Sequence, residues 1–94
     1  MSKLDWKLTN SQVGSLADTG VVNVDARGFL NLTVVSGAGC TTTVSRVDSL
    51  GATSHTTGTE NSFTVAAGVR TVTEVDWPFY RISAAGGPSR YCLT

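Results

Sequence analysis

The chain opens on a short alternation. Leu4, Trp6 and Leu8 are apolar and the residues between them are charged, which predicts a short strand or an extended arm. Gln12–Ala17 reads as one helical turn, ended by Asp18-Thr19-Gly20. From Val21 the pattern becomes that of β-structure. Val21–Asp25 predicts a strand, closed by a turn at Ala26-Arg27-Gly28. Phe29–Val35 is the clearest alternation, with Leu30, Leu32 and Val34 on one face and Asn31 and Thr33 on the other. A turn at Ser36-Gly37-Ala38-Gly39 leads into a Thr-rich strand, Cys40–Val47, and then a polar loop over Asp48–Gly58. Ser62–Val65 and Val69–Val75 are strands separated by Ala66-Ala67-Gly68. Pro78 interrupts pairing ahead of Phe79–Ala84 and Ser89–Thr94.

Opposed residues of a hairpin share a sheet face, so a register can be tested against the pattern. Closing Phe79–Ala84 on Ser89–Thr94 through Ala85-Gly86-Gly87-Pro88 sets Ala84 against Ser89, Ile82 against Tyr91 and Tyr80 against Leu93. One face is then apolar. The other carries Phe79, Arg81, Ser83, Arg90, Cys92 and Thr94, with Cys92 opposite Arg81. This agreement predicts a terminal hairpin. The same test on Phe29–Val35 and Cys40–Val47 sets Leu32 against Thr43 and Asn31 against Val44, and the apolar sets do not align. Either a bulge shifts the register, or the two strands belong to different sheets.

Composition agrees with this pattern and narrows the class. Among 94 residues there are 14 Thr, 10 Ser, 12 Val and 10 Gly. Val and Thr branch at Cβ and suit a pleated surface. Strong helix formers are scarce. The expected fold is all-β: a small antiparallel β-sandwich of about seven or eight short strands over residues 21–94, preceded by an N-terminal arm, residues 1–20. A chain this short buries roughly 60–65% of its unfolded surface, so a partner or self-association is expected to add stability. Seven Lys plus Arg balance seven Asp plus Glu. Zero net charge argues against a nucleic-acid partner held through phosphates. There is no apolar run of membrane-spanning length. Met1-Ser2-Lys3-Leu4-Asp5 lacks the pattern of a secretory signal, so synthesis in the cytoplasm and free thiols at Cys40 and Cys92 are expected.

Few residues invite a chemical reading. His55 is the one histidine, and with Ser54 and Asp48 it supplies the residue types of a triad, but it lies in a polar loop and reads as solvated. Glu74 and Asp76 alternate with Val75 and Trp77, and the expected role is a solvent-facing strand end or an ion pair with an arginine. Arg46, Arg70, Arg81 and Arg90 fall on strands, where they serve either an interface or solubility. Asn31-Leu32-Thr33 is a glycosylation sequon in mid-strand, and reads as chance. No enzyme activity, cofactor or metal is expected.

The layout over residues 20–94 resembles a small β-sandwich family common among virion proteins of tailed bacteriophages. The resemblance is carried by the repeated order of apolar strand, Gly turn and Thr/Ser/Val strand, and by the ending Phe79-Tyr80-Arg81-Ile82-Ser83 … Ser89-Arg90-Tyr91-Cys92-Leu93-Thr94. Asp48-Ser49-Leu50-Gly51 fits the family's Ser-x-Asp-Gly turn only in part, and no Trp follows it. The resemblance implies a capsid decoration protein on the virion surface that binds the major capsid protein, works as a homo-oligomer with a trimer favoured, and has no membrane partner. The alternative is a tail or fibre module recognising a host surface or glycan, through His55, Glu74, Asp76 and Trp77. For the decoration reading, the partner-binding candidates are Leu4, Trp6 and Leu8 in the arm and Arg81 and Arg90 on the last two strands.

Overall fold

The structure is a computed structural model, and it describes residues 12–51 and 62–94. Every regular element among them is a strand: β1 (Gln12–Leu16), β2 (Thr19–Asp25), β3 (Asn31–Ser36), β4 (Thr41–Arg46), β5 (Ser62–Val65), β6 (Arg70–Glu74), β7 (Phe79–Ala85) and β8 (Ser89–Leu93). They form two antiparallel four-stranded sheets, in the orders β1-β8-β3-β6 and β2-β7-β4-β5. We call these the first and second sheets. Only β4 and β5 follow one another within a sheet; every other connection crosses to the opposite one. Eight strands in these two orders make a jelly roll, a double-sheet way of managing strand edges. The all-β sandwich expected from the sequence is the fold observed.

The core lies between the sheets. Leu32, Val34 and Leu93 from the first sheet meet Val24, Val44, Val65, Tyr80 and Ile82 from the second, all buried. Each such side chain contributes roughly 1.5–3 kcal/mol by leaving water. One buried polar group is shared between the sheets. Ser36 Oγ hydrogen-bonds Thr42 Oγ1 at 2.7 Å and the Val65 carbonyl at 3.1 Å, so a core Ser and Thr are satisfied instead of stranded.

The register ambiguity of β3 and β4 resolves in favour of different sheets. The terminal hairpin does not form. β7 pairs with β2 and β4, whereas β8 pairs with β1 and β3. The face assignment nevertheless stands, because Tyr80, Ile82, Ala84 and Leu93 are buried. They meet across the core instead of side by side. The connection is held in a crossing geometry by its surroundings: Gly86 has φ +88° and a Cβ there would come within 2.8 Å of the Gly39 carbonyl oxygen, and Gly87 N donates to Asp18 O at 3.2 Å. Cys92 consequently faces Val13 and Thr33 as neighbours, not Arg81.

Two further expectations are corrected. Residues 12–17 are not a helical turn. Gly and β-branched Val disfavour a helix there, while pairing with β8 from Gln12↔Leu93 to Leu16↔Ser89 satisfies the backbone and buries Leu16. The sandwich thus begins by Gln12, and β1 and the start of β2 belong to it; residues 1–11 of the expected arm lie outside the described residues. Leu30 is 73% exposed instead of facing the core with Leu32, because β3 starts only at Asn31 and the backbone of Leu30 spans Thr94 and Val75 at the sheet end.

Candidate interaction surfaces

The charged residues near the β6–β7 corner form a scaffold. Arg46, the last residue of β4, grips the Asp76 carboxylate with Nε and a terminal nitrogen, both at 2.9 Å. Tyr80 Oη donates to the same carboxylate at 2.7 Å and accepts from the Asp76 backbone N–H at 3.1 Å. Trp77 Nε1 donates to the Val47 carbonyl at 2.8 Å. The Arg46 hydrogen bond holds the Asp76 carboxyl below its ordinary range, and burial pushes the Tyr80 phenol up. The ion pair expected between Asp76 and an arginine is therefore present, with Arg46 as the partner. Glu74, by contrast, sits opposite Asn31 on the outside of the first sheet. Of the candidates His55, Glu74, Asp76 and Trp77, His55 lies outside the described residues, as does Ser54, while Asp76 and Trp77 make the corner contacts given above. A second ion pair, Arg27 with Asp25 at 2.6 Å, lies on the surface with its guanidinium 5.2 Å from the Phe79 ring centroid.

The two outer faces differ in chemistry. On the second sheet, strand alternation turns Thr43, Ser45 and Ser83 outward, with Val21, Asn23 and Arg81 beside them. After β4 the chain reaches back to this face, where Asn23 Nδ2 donates to the Leu50 carbonyl. On the first sheet, the outward row Val13–Cys92–Thr33–Val72 runs straight across all four strands. Val13 is 73% exposed and Val72 56%. The next row, Ser15–Arg90–Val35–Arg70, supplies two cations, and a shallow depression of about 250 Å³ lies among Val13, Val35, Cys92 and these arginines.

The partner candidates of the sequence are thus divided. Arg90 is exposed on the first sheet, and Arg81 is half-buried on the outer face of the second, between Asn23 and Ser45. The two arginines point from opposite sides of the molecule and do not belong to one flat contact. Leu4, Trp6 and Leu8 lie outside the described residues. Sequence reasoning missed Val13, because its segment read as a helix, and Val72, whose outward direction follows only from pairing with Thr33. The alternation Arg70-Thr71-Val72-Thr73-Glu74 was the available signal. Among the described residues no group of three or more His, Cys, Asp or Glu side chains could hold a metal ion, and no helix is long and apolar enough to cross a membrane. No family model, curated protein or solved structure matches the chain.

Proposed function

We propose that this chain is a structural protein of a bacteriophage virion that decorates the outside of the capsid. The observation that carries the reading is the outer face of the second sheet, a jelly-roll surface of short hydroxyl side chains with Arg81 at its middle. Arginine is enriched at interfaces where other charged residues are depleted, and short side chains lose little rotamer freedom on contact. Jelly rolls recur among viral capsid and lectin domains; this is an analogy of fold and supports a virion role only to that extent. In this reading the hydroxyl face lies on the major capsid protein, and the arm, through Leu4, Trp6 and Leu8, docks on a neighbouring subunit. Many modest contacts repeated over a shell then give avidity.

The test is co-sedimentation of the purified protein with undecorated shells of the phage that encodes it. Saturable binding is expected, weakened by Thr43→Glu in the hydroxyl face and by deletion of residues 1–9. Absence of binding at any concentration refutes the proposal. If the shells stay bare while a glycan array or host cells capture the protein, the tail or fibre role replaces it.

A further inference from the structure

The outer face of the first sheet fits a second copy of itself. On β6, Arg70, Val72 and Glu74 project outward in turn, so Val72 lies midway between one cation and one anion. A two-fold axis running across the strands at the level of Val72 therefore places Arg70 of each copy against Glu74 of the other. The same axis passes along Val13–Cys92–Thr33–Val72, and this largely apolar row meets its own image. The pattern is self-complementary, as an isologous interface requires. A rotation about a central axis parallel to the strands instead turns the row Ser15–Arg90–Val35–Arg70 onto its own reversed image, which sets Arg70 against Ser15 and Arg90 against Val35 and gathers four cations in one row with no carboxylate opposite them.

We propose that two copies of this chain pair face to face through the first sheet, with the axis at Val72 and reciprocal Arg70–Glu74 ion pairs. The sheets pack in the aligned manner, about 10 Å apart. Four strands about 4.8 Å apart and five residues deep cover roughly 300–400 Å² per copy, which is below the standard interface size. The pairing is accordingly weak and reversible. The zero net charge of the chain leaves no overall repulsion to oppose it. A two-fold contact builds dimers, not the trimer that the family resemblance implies. The inference stands apart from the capsid reading and holds for the free protein.

Sedimentation equilibrium of the full chain from about 1 µM to 1 mM tests it. A monomer–dimer equilibrium is expected, weakened at least about tenfold by Glu74→Arg or by Arg70→Glu, since each change creates two like-charge contacts per dimer. Combining Arg70→Glu with Glu74→Arg restores pairing to within about threefold of the parent. Both changes lie at exposed positions, and unchanged melting temperatures verify that the three variants are folded. A monomer throughout the range, a dimer indifferent to Glu74→Arg, or a double variant no better than the single ones overturns the proposal.

Discussion

Replacing Tyr80 with Phe deletes one oxygen from a wholly buried ring. That oxygen makes two hydrogen bonds, one donated to the Asp76 carboxylate at 2.7 Å and one accepted from the Asp76 N–H at 3.1 Å. Hydrogen bonds to charged groups contribute about 1.5–3 kcal/mol, and neutral ones about 0.5–1.5. The carboxylate keeps both Arg46 contacts, and its side chain is 55% exposed, so water replaces part of what it loses. The first bond thus counts near the bottom of its range, and the total comes to about 2–3 kcal/mol. For a domain of this size each kcal/mol moves the melting temperature by about 4–8 °C, so a fall of about 10–20 °C is expected. Urea unfolding measures the free energy directly. In an Asp76→Ala background both partners of the phenol are disturbed, and Tyr80→Phe should then cost about 1 kcal/mol or less. A loss under about 0.5 kcal/mol in the parent, or an equal loss in the two backgrounds, refutes the reasoning.

Alkaline pH gives an independent signature. The folded phenol titrates above its ordinary value of 10.0 because it is buried. Below that value Tyr80 keeps its proton in both the folded and the unfolded state, and its contribution to stability is complete. Above it the unfolded tyrosine ionises while the folded one resists, so stability falls as pH rises. Tyr80→Phe should flatten this decline. At the acid end Asp76 behaves in the opposite sense. Its carboxyl is held low by Arg46, and its contribution is present above the ordinary carboxylate range and lost as pH falls through the folded value. Solvent screening of this half-exposed pair keeps that limb shallow.

Other predictions follow from local geometry. Gly86 and Gly28 both have φ +88°, but a Cβ at Gly86 comes within 2.8 Å of the Gly39 carbonyl oxygen whereas one at Gly28 meets nothing within 4 Å. Gly28→Ala should therefore cost about 1 kcal/mol and Gly86→Ala at least about 2 in urea unfolding, and equal costs contradict the packing at the crossing turn. Ser89 is 3% exposed, and its Oγ has no hydrogen-bond partner among the described residues. Ser89→Ala should raise stability by about 1 kcal/mol by removing an unmet polar group, and a loss of stability shows that the hydroxyl has a partner. Cys40 is buried and Cys92 lies on the outer face of the first sheet, both as free thiols. A dilute sample should show one thiol reacting promptly with a chromogenic disulfide and the second only in denaturant. Two prompt thiols would place Cys40 outside the core.

Alternation reveals which residues look inward, and so Tyr80, Ile82, Ala84 and Leu93 were legible as core. It does not reveal which strand lies beside which. The inward sets of β7 and β8 match equally well whether the strands are hydrogen-bonded neighbours or face each other across a core, and only backbone packing at Gly86 and Gly87 separates the two cases. For β3 and β4 a mismatch was informative where agreement was not: Leu32 against Thr43 excluded a regular hairpin and left a bulge or two sheets, and the two sheets are what forms. The edge strand β1 was illegible because Gly14 and Ser15 interrupt its apolar period. Gly14 has a steric role that no local pattern carries, since a Cβ there would run into the Tyr91 ring on β8. The outer faces suffered most from this limit. Arg90 could be read as outward from its own strand, yet its neighbours Ser15 and Val35 come from strands 55 or more residues earlier, so the composition of the face depends on register and not on sequence.

Flat faces of small side chains bind usefully only when the backbone beneath them is already fixed, because each contact is weak and any ordering cost is subtracted from it. The crossings supply that rigidity with main-chain groups. Gly37 N donates to Pro88 O at 3.0 Å, and Gly37 O accepts from Cys40 N at 3.0 Å and from Gly68 N at 3.1 Å. Three connections that lead to β4, β6 and β8 are thereby tied through one residue. A Cβ at Gly37 would lie 2.6 Å from the Pro88 carbonyl oxygen, so this knot excludes side chains at its centre. The opposite end is tied by the Arg46–Asp76–Tyr80 contacts between β4, the β6–β7 corner and β7. With both ends held, the sheets need not reorganise when a partner settles on either face. The glycines and the corner charges thus hold the hydroxyl face and the Val13–Val72 row in place, as the proposed contacts require.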